Sequence, residues 1–112
     1  GRTQEMSHIS RTLKSISREL DIPVIALAQL NRGVESRQGN KPKMSDLRES
    51  GSIEQDADAI MLLHRPDYYN PEERTGECDV ILAKNRNGET GTAPMMFIRQ
   101  MMRFENISSQ EG

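Results

Sequence analysis

"PVIALAQLNR", residues 23–32, is the stretch on which the fold turns. Its centre is a short, almost continuous apolar run. Such a run predicts a strand buried on both faces, as in the parallel sheet of an α/β domain, rather than a strand with one wet face. The character then changes abruptly at Gln29, Asn31 and Arg32. Ligands of open α/β sheets gather at the carboxyl ends of strands, so this change marks a first place to look for a site.

Upstream, Met6, Ile9, Leu13, Ile16 and Leu20 recur at spacings of three and four among Ser, Arg, Lys and Glu. This predicts an amphipathic helix over residues 3–20, stopped by Asp21 and Pro23. Downstream, residues 33–45 carry Gly, Asn, Pro, Ser and basic charges and read as a long loop. "SDLRES" (45–50) predicts a helical turn. Ser52 and Gln55 have capping-box spacing and predict a short helix from there to Asp58. "AIMLL" (59–63) predicts a second buried strand, followed by the turn-rich "HRPDYYNPEERTGE" (64–77). "CDVILAKNR" (78–86) and "TAPMMFIRQ" (92–100) predict a hairpin around Asn87-Gly88, a strong two-residue turn signal. "MRFENI" (102–107) adds an edge strand. Helix, strand, short helices, strand and hairpin make an α/β order, with no internal repeat and no low-complexity tract.

The 112 residues, 34% hydrophobic and 29% charged, suit one soluble domain or part of one, and a cytoplasmic location is expected. The single cysteine, Cys78, has no partner for an internal disulfide and is expected as a reduced, partly buried thiol. No apolar run approaches the roughly 18 residues of a membrane span, and no signal-peptide core is present, so no membrane partner is expected. The sequence opens at Gly1 and runs straight into helical sequence, which leads us to expect a piece of a longer chain. The net charge of −2 hides an asymmetry. Residues 32–48 hold five bases (Arg32, Arg37, Lys41, Lys43, Arg48) against two acids, whereas residues 49–79 hold nine acids against two bases. A local basic loop of this kind can meet phosphate.

Some chemistry is missing. No G-x-x-x-x-G-K-[ST] phosphate loop occurs, and neither "VIALA" nor "AIMLL" ends in an acid that would hold magnesium, so the chain by itself cannot cradle a nucleotide. His8 and His64 lack ligand spacing and read as ordinary surface or core residues. Glu54, Asp56 and Asp58 alternate in "IEQDAD", but on a helix they do not share a face, and no metal site is expected. Met95-Met96 and Met101-Met102 read as adaptable packing, with a possible subunit contact.

"PVIALAQLNR", "MSDLRESGSIEQDADAIMLLHR" and "ILAKNRNG", in this order and spacing, resemble the C-terminal RecA-like motor domain of the DnaB family of bacterial replicative helicases. The resemblance runs from "QEMSHISRTLK" to "RFENI". It departs at Ala28, where the family pattern leads us to expect Ser, and in the loop "QGNKPK". The implied fold is the C-terminal half of a RecA-like P-loop NTPase domain, with a parallel sheet core and a terminal β-hairpin, and residues 1–112 form a partial domain lacking the upstream phosphate loop and magnesium-binding acid.

The resemblance also implies roles. Arg86 is an arginine finger and Lys84 its companion, both at a hairpin tip and both acting on the nucleotide of the adjacent subunit in a homohexamer. A permanently charged planar fork delivered in trans suits charge developing on a γ-phosphate. From pattern alone, the same pair also reads as cations that keep an exposed hairpin soluble. Gln29 is implied as a γ-phosphate sensor, its amide able to donate and accept; the plain alternative is a satisfied strand-end residue. Arg48, Glu49 and Gly51 are implied to line a channel for single-stranded DNA, Glu49 through its backbone N–H, with Lys41 and Lys43 adding attraction. The alternative is a solvated loop with a helix cap.

ATP and Mg2+ are the implied cofactors of the full-length protein, and neither is expected on this stretch alone, which is expected to be inactive. Primase and a helicase loader are the implied partners. Two other classes stay open: a non-enzymatic RecA-like DNA-binding or oligomerisation module, and another RecA-like recombination ATPase.

Overall fold

A computed structural model describes residues 2–30 and 38–107. Helix α1 covers Arg2–Leu20. It ends as the sequence expects, by a specific device: Asp21 takes a left-handed conformation (φ 52°), and the Ile22 N–H bonds back to the Ser17 carbonyl at 3.1 Å. That pairing satisfies a carbonyl the last turn leaves open, and aspartate is one of the few residues besides glycine to visit this region readily.

A 3-10 turn over Met44–Ser50 leads directly into helix α2, Gly51–Asp56. The Lys43 N–H donates to Asp46 Oδ2 at 2.7 Å and the Asp46 N–H to the Lys43 carbonyl at 3.0 Å, so the turn is closed from both sides. Ser52 lies inside α2 rather than capping it. Its hydroxyl instead meets Ser10 Oγ of α1 at 3.0 Å, and Ser10 Oγ donates to Asp56 Oδ2 at 2.6 Å. The capping-box reading is therefore corrected: tertiary contact has claimed the hydroxyl.

Strand β1 (Ala59–His64) pairs with β2 (Glu77–Asn85), β2 with β3 (Gly91–Ile98), and β3 with β4 (Arg103–Asn106), all antiparallel, in the order β1-β2-β3-β4. A short helix α3, Pro66–Tyr69, interrupts the turn-rich segment after β1. The hairpin and the edge strand stand where the sequence put them. The α/β class also stands, but no parallel pairing occurs among the described residues.

Two strand expectations change. β1 is buried on one face only: Ile60, Leu62 and His64 point inward, while Met61 and Leu63 are exposed. Residues 22–30 form no strand at all, and Ile25 and Leu27 are 83% and 96% exposed. A strand exists only where a neighbour completes its hydrogen bonds, and no described segment pairs with this one. The apolar stripe of α1 is similarly uncovered at Ile9, Ile16 and Leu20. What core there is comprises Leu47, Ile60 and Leu62, with Leu30, Met44, Ala57, Ile81 and Ala83 packed around it. It joins the sheet to the turn that precedes α2.

Candidate functional site

The register of β1 against β2 slips by one residue near the hairpin tip: Met61 lies opposite Leu82, but Ile60 lies opposite Lys84, so Ala83 is extra. This bulge has a large effect on facing. Without it Lys84 would oppose Ala59, on the outer face. With it Lys84 shares the face of buried Ile60, against which Leu47 and Ala57 pack. Lys84 Nζ accordingly donates to the Glu54 carbonyl and, at 3.4 Å, to the Gln55 carbonyl at the end of α2.

Arg86 follows on the same side. Its backbone N–H donates to the Asp58 carbonyl at 2.8 Å; Nη1 donates to Asp58 Oδ1 at 2.7 Å and Nη2 to the Gln55 carbonyl at 2.9 Å. Lys14 Nζ of α1 reaches the same carboxylate oxygen at 2.7 Å. Lys14 of α1 and Lys84 and Arg86 of the hairpin thus converge on the last turn of α2 and on Asp58. Cations suit a helix C-terminus, where unpaired carbonyls carry partial negative charge. The hydrogen bond from Lys14 holds the Asp58 carboxyl below its ordinary value, with the Lys14 and Arg86 charges adding to it against a desolvation penalty. Arg86 nevertheless remains 43% exposed.

The tip itself is wider than the two-residue turn expected. The β2–β3 ladder ends at Leu82 opposite Gly91, and neither Asn87 nor Gly88 adopts the positive φ that a type I′ turn requires. Asn85 organises the tip instead: Oδ1 accepts the Asn87 N–H at 3.3 Å and Nδ2 donates to the Glu89 carbonyl at 3.2 Å. Gly88 matters through space rather than conformation. A Cβ there would come within 2.9 Å of Asn85 Nδ2.

The other sequence-predicted residues stand apart from this cluster. Gln29 is exposed in the unpaired segment, one residue before Leu30 joins the core margin. Asn31, Arg32 and Arg37 lie outside the described residues. Arg48 and Glu49 belong to the 3-10 turn and Gly51 opens α2, but their side chains lie outside what is described. Lys41 and Lys43 are exposed nearby. Glu54, Asp56 and Asp58 diverge, Asp56 to Ser10 and Asp58 to Lys14 and Arg86. Sequence reading missed Lys14, Asp58 and Asn85. The available signal was the polar row Ser10, Lys14 and Ser17 at helical spacing beside the apolar stripe of α1.

Apart from this cluster lies a cleft of about 440 Å³ lined by Arg65, Tyr68, Phe97 and Phe104 among others. The Arg65 guanidinium sits 4.8 Å from the Phe97 ring centre and 5.8 Å from that of Tyr68. A planar cation layered on rings in an open cleft can stack with a flat ligand. Cys78 is fully buried beneath it, and burial pushes its thiol up from the ordinary value. Among the described residues, the buried His64 Nδ1 has no hydrogen-bond partner. Arg74 closes the neighbouring loop by a two-pronged pair with buried Asp79, at 2.7 and 3.0 Å.

Comparison with known proteins identifies the family. The model of the DnaB-like helicase C terminal domain family matches residues 1–106. The replicative DNA helicase DnaC of Bacillus subtilis (strain 168) is 56% identical over 107 residues, 95% of this chain and 24% of its own length. A solved structure, an ATPase domain, superposes with a TM-score of 0.92 at 52% identity, covering 96% of this chain and 38% of that one. A solved DnaB-like replicative helicase, studied with its interactions with primase, superposes with a TM-score of 0.91 at 51% identity, covering 96% of this chain and 26% of that one. The chain spans about a quarter of the length of the curated relatives it matches. Matching fold, matching motifs and coverage of nearly every residue have one conclusion: this chain belongs to the DnaB-like helicase C-terminal domain family.

Proposed function

We propose that this chain is the part of a replicative DNA helicase motor that supplies Lys84 and Arg86 to the nucleotide bound by the next subunit of a homohexameric ring. The full-length protein then couples ATP hydrolysis to movement along single-stranded DNA and to duplex unwinding. The observation that carries the reading is the convergence of both cations at one exposed hairpin tip in a chain of this family. Two cations presented together fit the anionic γ-phosphate end of a nucleotide. This sequence has no phosphate loop, and this reading assigns Mg2+ and the remaining phosphate contacts to other parts of the full-length protein. The magnesium nucleotide brings the bond to be broken; Arg86 offsets charge as that bond opens, and Lys84 adds to the local field.

Gln29 senses whether the γ-phosphate is present. Arg48, Glu49 and Gly51 contact the DNA backbone, and exposed Lys41 and Lys43 add sequence-independent attraction. Primase and a loader are the protein partners of the ring, the former supported by the interaction described for a structural relative. Among the described residues no helix is long and apolar enough to cross a membrane, and a cytoplasmic setting suits a DNA motor.

Subunit mixing tests the trans assignment. Arg86→Ala is expected to lower ATP turnover about a thousandfold or more. Rings mixed with phosphate-loop-defective subunits should recover activity wherever an intact pocket faces an intact Arg86. Mixed rings no more active than either parent would defeat action across the interface.

A further inference from the structure

The fork of Arg86 is engaged by its own chain: Nη1 on Asp58 Oδ1 at 2.7 Å and Nη2 on the Gln55 carbonyl at 2.9 Å. A guanidinium grips phosphate through paired N–H donors along one edge. Here that edge is taken by a carboxylate and a carbonyl, and the carboxylate offsets the charge a developing anion requires. Asp58 is in turn shared, because Lys14 Nζ occupies the same oxygen at 2.7 Å. Lys14 and Arg86 therefore share one carboxylate oxygen, and each draws on its charge.

Helix α2 links this clasp to the loop before it. It starts at Gly51, directly after the Met44–Ser50 turn, and its last turn supplies the Glu54 and Gln55 carbonyls that hold Lys84 and Arg86. At about 1.5 Å per residue, so short a hydrogen-bonded rod transmits a displacement of one end to the other. Ser52, Asp56 and Ser10 fasten it to α1, which carries Lys14.

We propose that Asp58 is a positioning residue that keeps Arg86 withdrawn from the neighbouring nucleotide, and that displacement of α2, which the DNA contact proposed above for Arg48, Glu49 and Gly51 would impose, releases the arginine. The inference rests on the reading of Arg86 as a trans-acting arginine and deepens it into a gate. The clasp is exposed and hence weak, as an ion pair that must open in every cycle has to be.

The test is the ATPase rate of the full-length protein with and without single-stranded DNA. Asp58→Asn keeps an acceptor but removes the charge. Its DNA-free rate is expected to rise about two- to fivefold, the range an exposed ion pair allows, with the DNA-stimulated plateau unchanged. Lys14→Gln leaves Asp58 to Arg86 alone, and its DNA-free rate is expected to fall about twofold. A purely structural role would lower the rate in both variants. An equal or lower DNA-free rate in assembled Asp58→Asn overturns the proposal. Should that variant not assemble, an unchanged or raised rate in Lys14→Gln overturns it instead. Arg86→Ala run alongside separates the two ideas. If it hydrolyses ATP normally, the trans-arginine reading fails and the gate falls with it; if it is inactive while Asp58→Asn is not raised, only the gate fails.

Discussion

At the scale of single residues, charge pairing decides more than residue type. Arg74 and Asp79 show this away from the hairpin tip. The guanidinium hydrogen bonds hold the Asp79 carboxyl below its ordinary value, and the Arg74 side is raised correspondingly. A carboxyl depressed in the folded state contributes stability that is fully present above its unfolded value, near 3.9, and is lost as pH falls through the lower folded value. Thermal melting between pH 5 and pH 3 should therefore separate the parent from Arg74→Ala. The variant is expected to lose about 1–3 kcal/mol at neutral pH, because a buried carboxylate loses its partner, and the gap should narrow on acidification. A gap constant with pH would mean that Arg74 acts through packing alone. Asp58, by contrast, is open to solvent, and its pairing matters for where Arg86 points rather than for stability.

At the scale of elements, the β2–β3 tip shows how a turn is built for position. Asn85 ties the tip to Asn87 and Glu89, and Gly88 leaves room for it. Gly88→Ala is expected to displace the Asn85 amide, which is the free end of a flexible side chain, so the cost in stability should be small. The tip holding Arg86 would nevertheless shift, and misplacement of a catalytic group by an ångström can cost about a hundredfold. ATP turnover of the full-length protein is expected to fall at least about tenfold with little change in Tm. A large loss of Tm with normal turnover per folded molecule would contradict this. Gly76 differs: a Cβ there would meet only the Met96 methyl at an ordinary 3.6 Å, but φ is +81°, so there conformation rather than space requires glycine.

At the scale of the whole molecule, this stretch is stabilised by a small core, and among the described residues the stripe of α1 and residues 22–30 leave apolar side chains uncovered. Taken alone, the 112-residue chain is expected to show no ATP turnover, since its sequence has no phosphate loop. It is also expected to self-associate through residues 22–30, because unpaired backbone flanked by exposed Ile25 and Leu27 invites another strand. Leu27→Lys should reduce that association in sedimentation velocity runs. Association undiminished by the change would move the contact elsewhere, and measurable hydrolysis would contradict the division of the nucleotide pocket.

Periodicity and punctuation were enough to determine α1 and its stop, β1, the hairpin and the edge strand, because these depend on neighbours in sequence and on local hydrogen bonding. The order of motifs was enough to place Lys84 and Arg86 at the tip. Other features were illegible because they depend on contacts between residues distant in the chain. One bulge at Ala83 turned Lys84 toward α2; Ser10 claimed the hydroxyl that local spacing assigned to a cap; and Asp58, considered only as a metal ligand and set aside, became the residue that two cations share. Residues 22–30 fall on the same side of the line: a sequence can favour a strand, but only a partner makes one.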